Sequence, residues 1–263
     1  MSRKLLVLFL LIFLICGCKS ENSFKDGFAI VYQNNTPYLL NRNKELFDLS
    51  EYDYLSDTFG EYIVVGNYKR KVMKYGYIDN SGNVAIKGAQ HMGGIVGNGY
   101  YTNIADCSVI ANDGSYITAT SHSFVGGIVG YHGGYGNYNV SNCTVKNLEL
   151  TAYGAVGGIA GVLGAGNTLS DCLVENVKIT KTSIESLPSV GAATGNWDAN
   201  STNPITITNN TFKNVSLNGK YTEVKEYEFN EIFGTEYNGG LIDGAVVESN
   251  NTKDNVVNNV ELN

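Results

Sequence analysis

Beyond one unbroken apolar run at 5–15, the apolar positions of this chain come in short pulses. Typical pulses are FAIV at 28–31, EYIVV at 61–65, GGIVG at 93–97 and TVKNLEL at 144–150, with Gly, Asn, Asp and Ser between them. After residue 15 no long stripe of 3.6-residue period appears. Short runs rich in Val, Ile and Tyr, bounded by turn formers, predict strands, not helices. The segment KYGYIDNSGNVAI at 74–86 reads as a hairpin: strand, polar turn, strand. The expected class is all-β.

The run Leu5 to Ile15 is too short to span a bilayer, which takes about 20 apolar residues. It follows Arg3 and Lys4 and has the form of a signal-peptide core, and it is set aside from fold reasoning. The next residues, Ile15, Cys16, Gly17 and Cys18, resemble the lipobox of bacterial lipoproteins. The resemblance implies cleavage after Gly17, lipidation at Cys18 and attachment to a membrane by acyl chains. It further implies a cell-envelope location. Lys19 is not the aspartate that retains many such proteins at the inner membrane, so the outer membrane or cell surface is expected ahead of it. The segments expected are 1–17 as signal, 18–23 as tether, 24–87 as a first β module and 88–263 as a second.

The first module contains FKDGFAIV at 24–31, YLLNRNKELF at 38–47, YDYL at 52–55 and KYGYIDNSGNVAI at 74–86. Gly27, Ala29, Val31, Tyr75, Gly76, Tyr77, Ile78, Asp79, Gly82 and Ile86 resemble the pattern of WG repeats, with Tyr75 in place of the usual tryptophan. That resemblance implies a β-meander that packs and carries little chemistry.

The second module repeats itself. GGIVG at 93–97 returns at 126–130, as GGIAG at 157–161 and, decayed, as GAATG at 191–195; GGLIDG at 239–244 is a further expected copy. A second box reads ADCSV at 105–109, SNCTV at 141–145 and SDCLV at 170–174, then NNTFK at 209–213 and NNTKD at 250–254. A third reads KNLEL at 146–150, ENVKI at 175–179, KNVSL at 213–217 and NNVEL at 258–262. Such periodicity signals a stack of units, none of which can bury its apolar face alone. The prediction is a parallel β-solenoid, right-handed by the rule for parallel crossovers. Glycine pairs would turn its corners, and Asn or Asp before each Cys would take left-handed backbone. Equivalent positions stack, so Cys107, Cys143 and Cys172 should form an interior ladder continued by Thr211 and Thr252. The boxes resemble the GLUG motif of bacterial surface proteins, which include adhesins and the non-catalytic parts of immunoglobulin A peptidases.

Composition narrows the function. A net charge of −7 with 16% charged residues lacks the basic footprint of a nucleic-acid binder. The three cysteines after Cys18, at 107, 143 and 172, are odd in number and lie far apart, unlike the close pairs of zinc sites, so they read as small core side chains. His91, His122 and His132 have no metalloprotease spacing, and Ser121-His122-Ser123 has no nucleophile elbow around it. GGYGNYN at 133–139 loosely parallels a calcium-binding repeat but lacks the carboxylate, and no lysine follows its glycines as a phosphate loop requires. No catalytic residue, metal or cofactor is expected.

The tyrosines remain. Tyr100, Tyr101, Tyr131, Tyr135 and Tyr138 crowd the first repeats, with Tyr116 and Tyr153 nearby. Exposed aromatic rings suit glycan or protein binding; strand-edge packing would explain them equally well. The reading is a lipid-anchored, non-enzymatic envelope protein presenting a solenoid to a glycan or a surface protein. A polysaccharide-acting β-helix enzyme and a structural or accessory subunit are the alternatives.

Overall fold

A computed structural model describes residues 28–262 apart from 51, 60–61, 70–71, 79–84, 122, 135, 186–188, 200–201, 223–229 and 237–243. The lipobox with Cys18, and Gly27, Asp79, Gly82, His122, Tyr135 and positions 239–243, lie outside the described residues. Among the described residues all helix and strand structure is β. The chain divides into two compact units, Met1–Val84 and Ala85–Asn263.

The first unit is an antiparallel meander. β1 (Phe28–Gln33), β2 (Thr36–Asn41) and β3 (Leu46–Asp48) form one sheet, in that order. Asn34 and Asn35, with φ of 51° and 64°, make the two-residue turn between β1 and β2. Two left-handed residues in succession match the twist of a hairpin, and asparagine tolerates them. Leu39 and Leu49 are buried and packed by Ile30, Phe47, Tyr52 and Leu55. β4 (Tyr54–Phe59), β5 (Tyr62–Lys69) and β6 (Val72–Ile78) form a second antiparallel sheet.

β7 (Ala85–Gly88) departs from the hairpin expected at 74–86. It pairs in parallel with Tyr116–Ala119, placing Ile86 beside the buried Ile117. An apolar partner for Ile117 extends the core of the second unit, and β7 is that unit's opening strand.

The second unit is the parallel β-solenoid. A complete rung has four strands, one in each of four sheets. In rung 2 they are Val125–Gly126 in sheet I, Val129–Gly133 in sheet II, Asn139–Ser141 in sheet III and Thr144–Ala152 in sheet IV. Rung 1 runs from Met92 to Ala119, rung 3 from Val156 to Glu185, and rung 4 from Val190 to Tyr221. Rung 5 comprises Thr235–Glu236, Val246–Ser249 and Thr252–Leu262. Every described pairing between rungs is parallel and joins residues one repeat apart.

Equivalent residues therefore stack inward. Ile104, Val140, Leu169 and Ile207 form one interior ladder. Val109, Val145, Val174 and Phe212 form a second. Ile117, Leu150, Ile179 and Leu217 form a third. All twelve are buried, and each such side chain contributes about 1.5–3 kcal/mol by leaving water. Rung 5 breaks the pattern: Glu248, Lys253 and Asn258 occupy the next places in the three ladders. The Lys253 ammonium is 2.8 Å from the Glu231 carboxylate.

The first glycine of each box is required by close approach, not by backbone twist. A Cβ on Gly93, Gly126, Gly157 or Gly191 would sit 2.0–2.1 Å from the carbonyl oxygen three residues on. Two other corners do use left-handed backbone. Asp106, Asn142, Asp171, Asn209 and Asn250 have φ of 50–56°, as expected for the residues before the cysteine position. Asn147, Asn176, Asn214 and Asn255 have φ of 52–58° and link rung to rung. The amide Nδ2 of Asn176 donates to Oδ1 of Asn147 at 3.0 Å, Asn214 to Asn176 at 3.0 Å, and Asn255 to Asn214 at 2.9 Å.

Three alignments of the decayed repeats differ from expectation. The cysteine ladder continues through Asn210 and Asn251, because Thr211 and Thr252 align with Thr144 and Leu173, one residue on. At that place the Asn210 amide donates to the Leu169 carbonyl of the preceding rung at 3.2 Å, closer than the 3.9–4.0 Å at which the cysteine thiols face theirs. The last copy of the third box is Asp254 to Asn258, not 258–262, since Asn255 supplies the left-handed residue opposite Asn214. The fifth sheet I corner is Glu231 to Gly234, whose carbonyls accept from Ala192 and Ala193, instead of 239–244. Only its final glycine survives, because that position lies against the Gly195 backbone, 2.1 Å from where a Cβ would be.

Candidate functional site

The tyrosines of rungs 1 and 2 come together on the outside of sheet II. Tyr100 ends the strand Val96–Tyr100, and Tyr101, with φ of 53°, turns the chain out of the sheet. Tyr131 projects from Val129–Gly133, while its neighbour His132 points inward and is fully buried. Tyr138 stands just before the sheet III strand.

The rings touch in sequence. Tyr131 and Tyr100 have centroids 5.4 Å apart, Tyr100 and Tyr101 6.2 Å, and Tyr101 and Tyr138 5.7 Å. His91 continues the row, stacked on Tyr131 at 5.5 Å and on Phe124 at 4.9 Å. Six rings thus form a strip that follows the strand direction across two rungs. Tyr100 and Tyr101 are 52% and 61% exposed, whereas Tyr131 and Tyr138 are partly covered.

Glycines make room for the rings. A Cβ on Gly133 would lie 2.2 Å from the Tyr131 ring and 2.7 Å from the Tyr100 ring. One on Gly134 would lie 3.0 Å from the Tyr101 ring. Gly133 and Gly134 are the floor of the strip.

Below that floor His132 holds two turns in place. Its Nε2–H donates to the Thr102 carbonyl at 2.8 Å, beside Tyr101. Its Nδ1 then accepts from the Asn167 amide at 3.3 Å. The Asn167 Oδ1 in turn accepts from the Tyr138 backbone N–H at 3.3 Å. Burial pushes the His132 pKa down, which keeps the ring neutral and this arrangement intact. His91 is also pushed down by burial, and its Nδ1 is a buried atom without a hydrogen-bond partner.

Of the predicted binding residues, Tyr100, Tyr101, Tyr131 and Tyr138 share one surface; Tyr135 lies outside the described residues. Tyr116 and Tyr153 belong to sheet IV and the turn after it. Reading the sequence for tyrosines alone missed His91 and Phe124. Both stand two residues before a repeated glycine, Gly93 and Gly126, so their shared phase was the available signal.

Cys107, Cys143 and Cys172 are free thiols. Cys143 and Cys172 are buried, and each thiol donates to a carbonyl two residues back, at 3.2 and 3.1 Å. A hydrogen bond from Cys107 favours the Cys143 thiolate. The bond with Cys172 and burial outweigh it, and the Cys143 pKa is pushed up to about 11. The Cys172 pKa is held down by its bond with Cys143.

Charges on the outer face of sheet IV pair between rungs. Glu175 lies 2.6 Å from Lys146 and 3.0 Å from Lys213. The lysines, Lys146 first, hold the Glu175 carboxyl below its usual range. Among the described residues no group of three or more His, Cys, Asp or Glu side chains is placed to hold a metal ion. No helix among them is long and apolar enough to cross a membrane.

Set against known proteins, the chain matches no family model, no curated sequence and no solved structure.

Proposed function

We propose that this protein is a lipid-anchored component of a bacterial cell envelope that binds a ligand through the aromatic strip of its solenoid. The observation that carries the reading is the assembly of Tyr100, Tyr101, Tyr131 and Tyr138 into one row from two rungs of the repeat, with Tyr100 and Tyr101 exposed. Tyrosine gives a large, stiff, amphipathic contact at small entropic cost, which suits recognition of a glycan or of a protein surface. The paired charges of sheet IV support a binding role over an enzymatic one, because a polysaccharide-cleaving site needs carboxylates and bases free to move protons. The lipobox at Ile15 to Cys18 supports the anchor, and Lys19 favours the outer membrane or surface over the inner membrane. The likeness of the two modules to WG and GLUG repeats fits a display scaffold.

Two experiments test the reading. Incorporation of labelled palmitate into the wild type but not into Cys18→Ala tests the anchor. Beads coated with the chain should adhere to host-cell or biofilm surfaces, and beads carrying Tyr100→Ala with Tyr101→Asn should adhere far less. Equal adhesion by both, or by neither, refutes the role of the strip.

A further inference from the structure

Resting on that reading, we propose that the strip takes one uncharged glycan chain, laid along the strand direction of rungs 1 and 2. Three observations select this ligand.

The first is charge. The sequences on either side of the strip's tyrosines, 98–104 and 131–139, contain no Asp, Glu, Lys or Arg. Their single ionisable base, His132, is turned inward and held neutral. A nucleic acid, an acidic polysaccharide or a charged peptide would lose hydration here and find no opposite charge. A neutral sugar loses no ionic hydration. The apolar face of a pyranose ring stacks on tyrosine, and its hydroxyls meet the phenols and the exposed Asn98 and Asn137 at the rim.

The second is size. A protein interface of ordinary size takes about 800 Å² from each partner. Four tyrosines bury about 150–250 Å² each when fully covered. With only Tyr100 and Tyr101 more than half exposed, the strip offers about half of a protein-sized patch at most. From Tyr131 to Tyr138 it is a single row of rings, the width of a single chain.

The third is tilt. The Tyr100 and Tyr131 rings meet at 48°, Tyr100 and Tyr101 at 45°, and Tyr101 and Tyr138 at 72°. A flat crystalline polysaccharide face can rest on one such ring at a time. A single chain in solution can rotate about its linkages and present successive sugars to successive rings. The bonds from His132 to the Thr102 carbonyl and from the Tyr138 N–H to Asn167 fix the two turns, so little order is left to impose on binding.

The test uses the full-length chain in mild detergent. Calorimetry is run with neutral hexasaccharides of gluco, xylo and manno configuration, with polygalacturonate and heparin, and with microcrystalline cellulose. Binding to at least one neutral hexasaccharide is expected, with none to the acidic polymers or the crystalline solid. Tyr100→Ala and Tyr101→Asn should each weaken it about tenfold. Asparagine keeps the left-handed backbone of position 101, and a thermal melt checks that both variants fold. Preference for an acidic polymer or for crystalline cellulose, or affinity untouched by both substitutions, overturns the proposal. Silence toward every neutral glycan, with bead adhesion still dependent on the tyrosines, overturns it too. That outcome leaves the binding role standing with a protein as partner. Loss of both readouts would fell the two together.

Discussion

Asn210 stands directly above Cys172 and does the same work with a stronger donor. The Cys172 thiol points at the Val140 carbonyl of the preceding rung, 3.9 Å away; the Asn210 amide donates to the Leu169 carbonyl, one rung on, at 3.2 Å. Asn210 also accepts from the Cys172 backbone N–H at 2.9 Å and donates to Asn251 at 3.0 Å. One corner of the solenoid is therefore sealed by thiols at one end and by amides at the other.

Asn210→Ala should be among the most damaging single changes in the solenoid. It leaves a buried N–H and a buried carbonyl without partners, at a cost of about 2–4 kcal/mol. Asn210→Cys, which restores the side chain used below it, should cost less. Urea unfolding of the two variants measures the difference, and equal midpoints would contradict the corner's assigned role.

The asparagine at position 214 has two separable duties. Its φ of 52° suits Asn or Gly, and its amide bridges Asn176 and Asn255. Asn214→Gly loses the bridge only; Asn214→Ala loses the bridge and adds about 1 kcal/mol of backbone strain. Stability should fall in the order Asn, Gly, Ala. A glycine variant less stable than the alanine variant would sink this account.

Acid should loosen the strip through His132. The ring is buried and its pKa lies below the ordinary value of about 6.5, so the unfolded chain binds the proton more readily. The stability it confers is complete above that value and declines as pH falls from it toward the lower folded pKa. Unfolding followed between pH 7.5 and 4.5 should show this slope in the wild type. His132→Gln should flatten it.

The thiols should differ in reach. Cys107 is half-buried, whereas Cys143 and Cys172 are buried and the Cys143 thiol ionises only near pH 11. Alkylation of the native protein at pH 8, read by peptide mapping, should label Cys107 first and the other two only after unfolding.

Rung 5 invites a gain-of-function test. Glu248→Ile, Lys253→Phe and Asn258→Leu together would copy the residues of rung 4 beneath them. The change replaces a polar end with an apolar one and should produce end-to-end association, seen as a concentration-dependent mass in sedimentation. A triple variant whose mass matches the wild type's at every concentration would contradict this.

The clean repeats were legible in the sequence because glycine, cysteine and asparagine stand at one phase for backbone reasons. Gly93, Gly126 and Gly157 face a carbonyl that excludes a Cβ, and Asp106, Asn142 and Asp171 need positive φ. Where a position demands less, the signal fades. Ala192 replaces the second glycine of the box, and Glu231 to Gly234 keeps only the last. The one-residue slip at Thr211 arose from matching a polar residue of similar size to cysteine. What the corner conserves is a donor to the rung below, which Asn210 supplies. In the strip, the tyrosines were visible as composition; their order in space depended on pairing Gly133 with Tyr100, a register no single repeat reveals.

The amide bridges at Asn147, Asn176, Asn214 and Asn255 bind each rung only to its neighbours. The tyrosines of the strip lie in the first two rungs. An in-frame duplication or loss of a rung beyond rung 3 would lengthen or shorten the solenoid and leave the strip, with the Asn167 that supports it, unchanged. The length of the solenoid and the make-up of the strip can thus drift independently under selection, the first by copying and the second by point substitution.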